Sequence, residues 1–397
     1  MHLIRRNVAY LAACQALLLV NNVTLIALAG LAGLALAADK MLATLPATTY
    51  VIGAALASMP MSLLMKRIGR RPGFMIGAAF GIAGSAICAI AMHLGSFWML
   101  CAGTLVAGAY NASGQLYRFA AADTASEDFK SRAISLVMAG GIVGGVVGPE
   151  MAKFTRNLAS AEFAASYGSL VVFGVLSLLV LTRVRIPKLA EADRVAEGRP
   201  LLEIIRQPVF MVAALGAMIG YGVMNLLMTA TPIAMGICSH PFDDAAFVLE
   251  WHVIGMFAPS FFTGSLIRRF GVLNIMLTGA VLMAGCVAIA VSGVAVVHFW
   301  VALTLLGIGW NFMYIGGTTL LTEAAAPAER AKAQGANDFL VFCTMAISSA
   351  SSGAMVTQAG WQAMNLWALP FLAVSVAATL LLVWNRKRRA ARAATAA

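Results

Sequence analysis

The chain has 397 residues, is 61% hydrophobic and is only 11% charged, whereas about a quarter of a soluble domain is charged. That composition excludes a water-soluble enzyme or binding module. The formal net charge of +11 does not point to nucleic acid, because the basic residues sit in short loops between long apolar runs.

Apolar runs of about 20 residues cross a bilayer core, and with no water to bond the backbone they must be helical. Twelve such runs are predicted in chain order: 8–36, 42–65, 73–93, 98–121, 131–155, 162–182, 208–236, 244–267, 273–293, 297–322, 333–356 and 362–384. The first is too long for the roughly 7–15 apolar residues of a signal peptide, so the cleavage-like Ala35-Leu36-Ala37 is read as part of a retained helix. Between the sixth and seventh runs lies the longest polar stretch, 183–207, with a short surface helix expected around Leu189–Glu197. The expected domains are therefore 1–182, a linker 183–207, and 208–397 with a basic tail.

The two halves repeat each other. Lys66-Arg67-Ile68-Gly69-Arg70-Arg71 returns as Arg268-Arg269-Phe270-Gly271, and Phe97-Trp98 returns as Phe299-Trp300. Asn111, Asp123, Lys130, Arg132 and Ala133 return as Asn311, Glu323, Arg330, Lys332 and Ala333, 200 positions on. Duplicated bundles are a common way to build a carrier with its site between repeats.

Sidedness follows from charge. With twelve crossings, 23 basic residues fall on one side and three (Lys40, Lys153 and Arg156) on the other, with Arg118 inside a helix. The excess belongs to the cytoplasmic face. Both termini are then cytoplasmic, in the cell's inner membrane, and the tail after Trp384 lies against anionic lipid headgroups. Of the six cysteines, only Cys238 lies near the outer surface; no metal spacing and no disulfide are expected.

Ser62-x-Leu64-Met65-Lys66-Arg67-Ile68-Gly69-Arg70-Arg71 resembles the signature loop of the major facilitator superfamily, and Gly264-x-Leu266-x-Arg268-Arg269-Phe270-Gly271 its second, degenerate copy. The resemblance implies an all-α membrane protein of twelve helices in two six-helix bundles, working by alternating access. Two positions depart: Ser62 stands for a glycine, and Lys66, like Arg268, stands for an acid. In the family that acid is expected at the start of helix 11, so a reversed pair of Lys66 with Asp338 is expected here. The resemblance also pairs signature-loop arginines with acids ending helices 4 and 10: Arg67 or Arg70 with Asp123, and Arg269 with Glu323. These are gating contacts.

Gly144-x-x-x-Gly148-Pro149 partly resembles a motif of proton-coupled efflux carriers, but Glu150-Met151-Ala152 replaces its later glycines. Export is one reading. Close packing along the row Gly140, Gly144, Gly148 is the other.

By the family's architecture, helices 1, 4, 7 and 10 line the cavity. At mid-depth they carry Asn21 and Asn22, Asn111 with Tyr110, Asn225 with Tyr221, and Asn311 with Trp310 and Tyr314. Amides at that depth need partners or water, so they either bind a neutral or zwitterionic solute or hold helices together. Gln115 and Arg118 share Asn111's helix face at i+4 and i+7. Arg118 either meets an anionic substrate or snorkels. Glu150 is the candidate proton-coupling acid; Glu250, beside Asp243 and Asp244, reads as an exposed outer acid.

No Gly-x-x-x-x-Gly-Lys-Ser/Thr, His-Glu-x-x-His or Gly-x-Ser-x-Gly sequence occurs. The expected protein is not an enzyme. It is a monomeric secondary transporter of a small organic solute that needs no cofactor and binds no nucleic acid. Proton-coupled efflux is the first reading, with uptake symport or facilitated passage as the alternative and a non-transporting sensor behind both.

Overall fold

The computed structural model describes residues 2–39, 42–187, 191, 196 and 198–396. Lys40, Lys188, Arg194 and most of the stretch expected as a surface helix lie outside them. Among the described residues ten helices are long and apolar enough to cross a bilayer, and a bent pair supplies an eleventh. The twelfth crossing is the fourth apolar run, diluted by Asn111, Gln115 and Arg118.

In chain order the helices are α1 (His2–Leu36), α2 (Leu45–Ile68), α3 (Arg70–Leu94), α4 (Phe97–Gln115), α5 (Tyr117–Thr124), α6 (Glu127–Ala139), α7 (Gly141–Thr155) and α8 (Ala164–Leu181). Then come α9 (Leu201–Ile205), α10 (Pro208–Ile237), α11 (Phe242–Phe257), α12 (Ser260–Phe270), α13 (Val272–Ser292), α14 (Val296–Leu321), α15 (Arg330–Gln358), α16 (Gly360–Leu366) and α17 (Ala368–Ala396). Several predicted helices are thus broken in two: the fourth at Leu116, the fifth at Gly140 and the eighth at Ala258-Pro259. The eighth bends by 42°, where Pro259 has no N–H to give to the preceding turn.

The repeat is visible in the backbone. Gly69 (φ 98°, ψ 159°) separates α2 from α3, and Gly271 (φ 87°, ψ 147°) separates α12 from α13. That region of φ/ψ space is open essentially to glycine alone. It lets each chain reverse between two long helices without a longer loop.

The helices group into two compact units. One comprises residues 1–198 with 327–346, the other residues 199–326 with 347–397. In the first, small residues bring backbones together. A methyl group at Gly144 would overlap Leu19 and the Val20 nitrogen, and one at Gly108 would overlap the Tyr50 carbonyl. The start of α15 belongs here because Ser62 Oγ donates to the Ala331 carbonyl at 2.8 Å and Gly335 lies against Met59 and Ser62. The serine that replaces a signature glycine thus secures α15. In the second unit α14 is the central helix, packed on α10, α11 and α13. Gly255 and Gly307 admit α11, and Gly279 and Gly309 admit α13.

Candidate functional site

The first unit contains a continuous buried polar chain. Tyr50 Oη on α2 donates to Asn22 Oδ1 on α1. Asn22 Nδ2 donates to Asn111 Oδ1 on α4 at 2.9 Å, and Gln115 Nε2 donates to the same oxygen at 3.1 Å. Arg118 Nη1 donates to the Gln115 carbonyl at 2.6 Å and to Gln115 Oε1 at 2.9 Å. Arg118 Nη2 then donates to Asp338 Oδ1 on α15 at 2.6 Å, and Asn337 Nδ2 bonds that same oxygen at 3.0 Å. The helical spacing of Asn111, Gln115 and Arg118 keeps all three on one face across the break at Leu116.

Arg118 is therefore not free for an anionic substrate, and it does not snorkel. Its side chain is 1% exposed and that of Asp338 3%. Neutralising each other inside the protein is what allows two charges at such burial. Asp338 is consequently not the partner of Lys66, whose ammonium donates to the Ala196 carbonyl at 2.6 Å.

Adjacent Asn21 points elsewhere, since consecutive helical residues diverge by about 100°. Its amide donates to the Leu170 carbonyl on α8 at 3.3 Å and reads as a helix–helix bond.

Nearer the signature loop, Arg70 reaches Asp123 with both Nε (3.2 Å) and Nη2 (2.7 Å). The same Nη2 donates to Gln334 at 2.6 Å, and Arg330 approaches the other Asp123 oxygen at 3.2 Å. Of the two arginines drawn to Asp123, Arg70 is the one that arrives. Gln334 and Arg330, both on α15, were not anticipated as partners. Arg330 was visible only as a repeat of Lys130, which says nothing about what it touches.

In the second unit, Trp310 and Tyr314 on α14 stack at 5.1 Å with a 17° interplanar angle. Tyr221 on α10 meets both edge-on at 5.4 and 5.2 Å, and Phe257 on α11 closes the far side at 5.7 Å. Trp310 and Tyr314 are each about 1% exposed; Tyr221 is half-buried. Of the three rings, only Tyr221 keeps exposed surface, with the other two packed behind it. Asn225, one turn on, donates to Ser348 at 2.9 Å.

Asn311 differs from its repeat partner. Its Nδ2 donates to the Met256 carbonyl and to Ser260 Oγ, each at 2.6 Å, and its Oδ1 accepts from Thr263 at 2.7 Å. These groups flank the bend at Pro259, so Asn311 stitches the broken helix together, and it is fully buried. The pairing expected between Arg269 and Glu323 is not made either. Glu323 accepts from Arg386 at 2.7 Å, and Arg269 lies over the Phe270 ring. Glu150 is two-thirds exposed and pairs with Lys153 one turn on at 2.8 Å, outside the polar chain.

A sequence model of the Major Facilitator Superfamily matches residues 11–247 and 240–397. The riboflavin transporter RfnT of Brucella anthropi is 44% identical over 392 residues, covering 98% of each chain. Among solved structures, the proton:xylose symporter XylE superposes with a TM-score of 0.79 at 14% identity, over 96% of this chain and 95% of XylE. The E. coli fucose:proton symporter FucP superposes with a TM-score of 0.76 at 16% identity, over 94% and 98%. The duplicated six-helix pattern, the paired signature loops and these matches together make the chain a member of the Major Facilitator Superfamily, a membrane transporter of a small molecule and not an enzyme.

Proposed function

We propose that the chain carries riboflavin, or a closely related unphosphorylated flavin, across the inner membrane as a monomer. The 44% identity to a riboflavin transporter over nearly the full length of both chains is the observation that carries this reading. The chemistry of each unit supports it separately. The bonds that Asn111 receives from Asn22 and Gln115 both end on its Oδ1, leaving its amide nitrogen, with the Gln115 side chain beside it, to face the imide edge of a flavin ring. In the other unit, half-buried Tyr221 on its Trp310–Tyr314 support offers a ring face for stacking.

The halves 1–182 and 208–397 are proposed as the moving bodies, with Arg70 and Asp123 at the gate and Arg67 beside them. Drive by a proton gradient is part of the proposal. The glycine row that suggests export is occupied by packing against α1, so it lends no weight to efflux over uptake. Proteoliposomes holding the purified chain should show saturable riboflavin counterflow, and imposed gradients of either sign read the direction. Vesicles in which riboflavin neither exchanges nor competes would end the flavin reading.

A further inference from the structure

We propose that Asp338 is the carboxylate that takes up and releases the coupled proton. The proposal rests on gradient-driven transport by this chain and not on flavin as the cargo.

Asp338 is buried on α15, and its two oxygens are treated differently. Oδ1 accepts from Arg118 and Asn337. Oδ2 is buried with no hydrogen-bond partner among the described residues. Buried carboxylate oxygens are ordinarily satisfied, so an orphaned one at the end of a polar chain calls for a function. A proton can settle on Oδ2 while Arg118 still donates to Oδ1, so no existing bond need break first.

The guanidinium is also provided for when the carboxylate is neutral. Arg118 keeps the Gln115 carbonyl and Oε1 as acceptors, and its Cζ lies 4.6 Å from the centre of the Phe119 ring. Of the charged groups on the neighbouring elements, Arg70 of α3 and Arg330 of α15 are engaged with Asp123 of α5; from α2, Lys66 is bonded to the Ala196 carbonyl. None of them bonds Oδ2.

The step balances simply. A hydronium ion gives its proton to Oδ2, one of its O–H bonds breaking as the new one forms, so that water is left behind and the carboxylate becomes a neutral acid. The same bond breaks when the group faces the other aqueous phase. Gln115 links this event to the cargo side, because one amide holds both Arg118 and Asn111. A ligand that draws Gln115 toward itself loosens Arg118 and shifts Asp338 toward its protonated form. Glu150, exposed and paired with Lys153, has no such connection.

The test uses the full chain in riboflavin-loaded proteoliposomes, reading counterflow, accumulation under an imposed pH gradient and internal pH by a trapped dye. Asp338→Asn should keep counterflow but lose gradient-driven accumulation and the accompanying proton flux, while Asp338→Glu keeps all three. Gradient-driven accumulation by Asp338→Asn overturns the proposal. So does loss of counterflow in that variant, which would make Asp338 a structural partner of Arg118, and so does a wild type indifferent to the gradient. A second readout needs no cargo. An apolar carbodiimide, which attacks the protonated carboxyl, should modify Asp338 increasingly as pH falls, as read by peptide mass. If riboflavin does not exchange, only the flavin reading fails and this labelling still decides; absence of labelling at every pH counts against Asp338.

Discussion

Asn111 and Asn311 stand at equivalent places in the two repeats yet bond to different things. Asn111 joins side chains on α1 and α4, while Asn311 bonds a backbone carbonyl and two hydroxyls around the bend at Pro259. Sequence symmetry shows that both amides exist at one depth. It does not show their partners, because those depend on which neighbouring helix is broken. The variants should therefore separate. Asn311→Ala strands a buried carbonyl and should cost about 1–3 kcal/mol of stability, read as a lowered unfolding temperature. Asn111→Ala should instead raise the half-saturating riboflavin concentration about tenfold, the loss expected for a ligand hydrogen bond; an unchanged value would class Asn111 with Asn311. The ion pair was equally hidden. Arg118 and Asp338 are both readable as intramembrane charges, but they are 220 positions apart, and no pattern in one sequence joins them. Arg118→Met alone should cost about 3–5 kcal/mol by leaving Asp338 buried and unpaired, and adding Asp338→Leu should recover most of it. Equal unfolding temperatures for the single and double variants would show that the pair is not sealed from water.

At the scale of helices the sequence was most legible, because lipid leaves the backbone no alternative to helix. The breaks were less so. Pro259 announces one of them, but the breaks at Leu116 and Gly140 carry no proline, only Gly114 near the first and Gly140-Gly141 at the second, and the interruptions there depend on what packs alongside. The glycine row of α7 shows how a motif can carry two readings until neighbours are known. An added methyl at Gly144 meets α1 backbone at 2.6 Å, one at Gly148 meets Val23 Cβ at 3.0 Å and the Val20 carbonyl oxygen at 3.4 Å, and one at Gly168 meets nothing within 4 Å. Gly144→Ala should therefore cost about 1–3 kcal/mol as an overpacked contact. Gly148→Ala should cost less, because its nearest contact, at 3.0 Å, is looser than that at Gly144 and needs only a small shift of α1, and Gly168→Ala should be silent in the same thermal-unfolding measurement. Equal effects at all three would mean that the close approach of α1 to α7 at Gly144 does not set the cost.

For the whole molecule, the strongest sequence signal is the distribution of charge, and it makes a prediction about sidedness. Twelve crossings place the loops rich in arginine and lysine on one side and the loop after α10 on the other, and basic loops stay in the cytoplasm. Cys238 follows directly on Ile237, the last residue of α10, and is half-buried. Cys14, Cys88, Cys101 and Cys286 are buried, and Cys343 lies within α15. With Cys343→Ser as background, an impermeant maleimide added to intact cells should modify Cys238. Arg199→Cys, placed at an exposed residue of the segment joining α8 to α10, should react only after the membrane is opened. The two positions are separated by a single crossing, α10, so labelling of both from one side would mean that α10 does not span. Reversed labelling would mean that all crossings stand but the chain is inverted. In that case the basic tail beyond Trp384 would face outward and the argument from charge would fail for the entire chain, not for one loop.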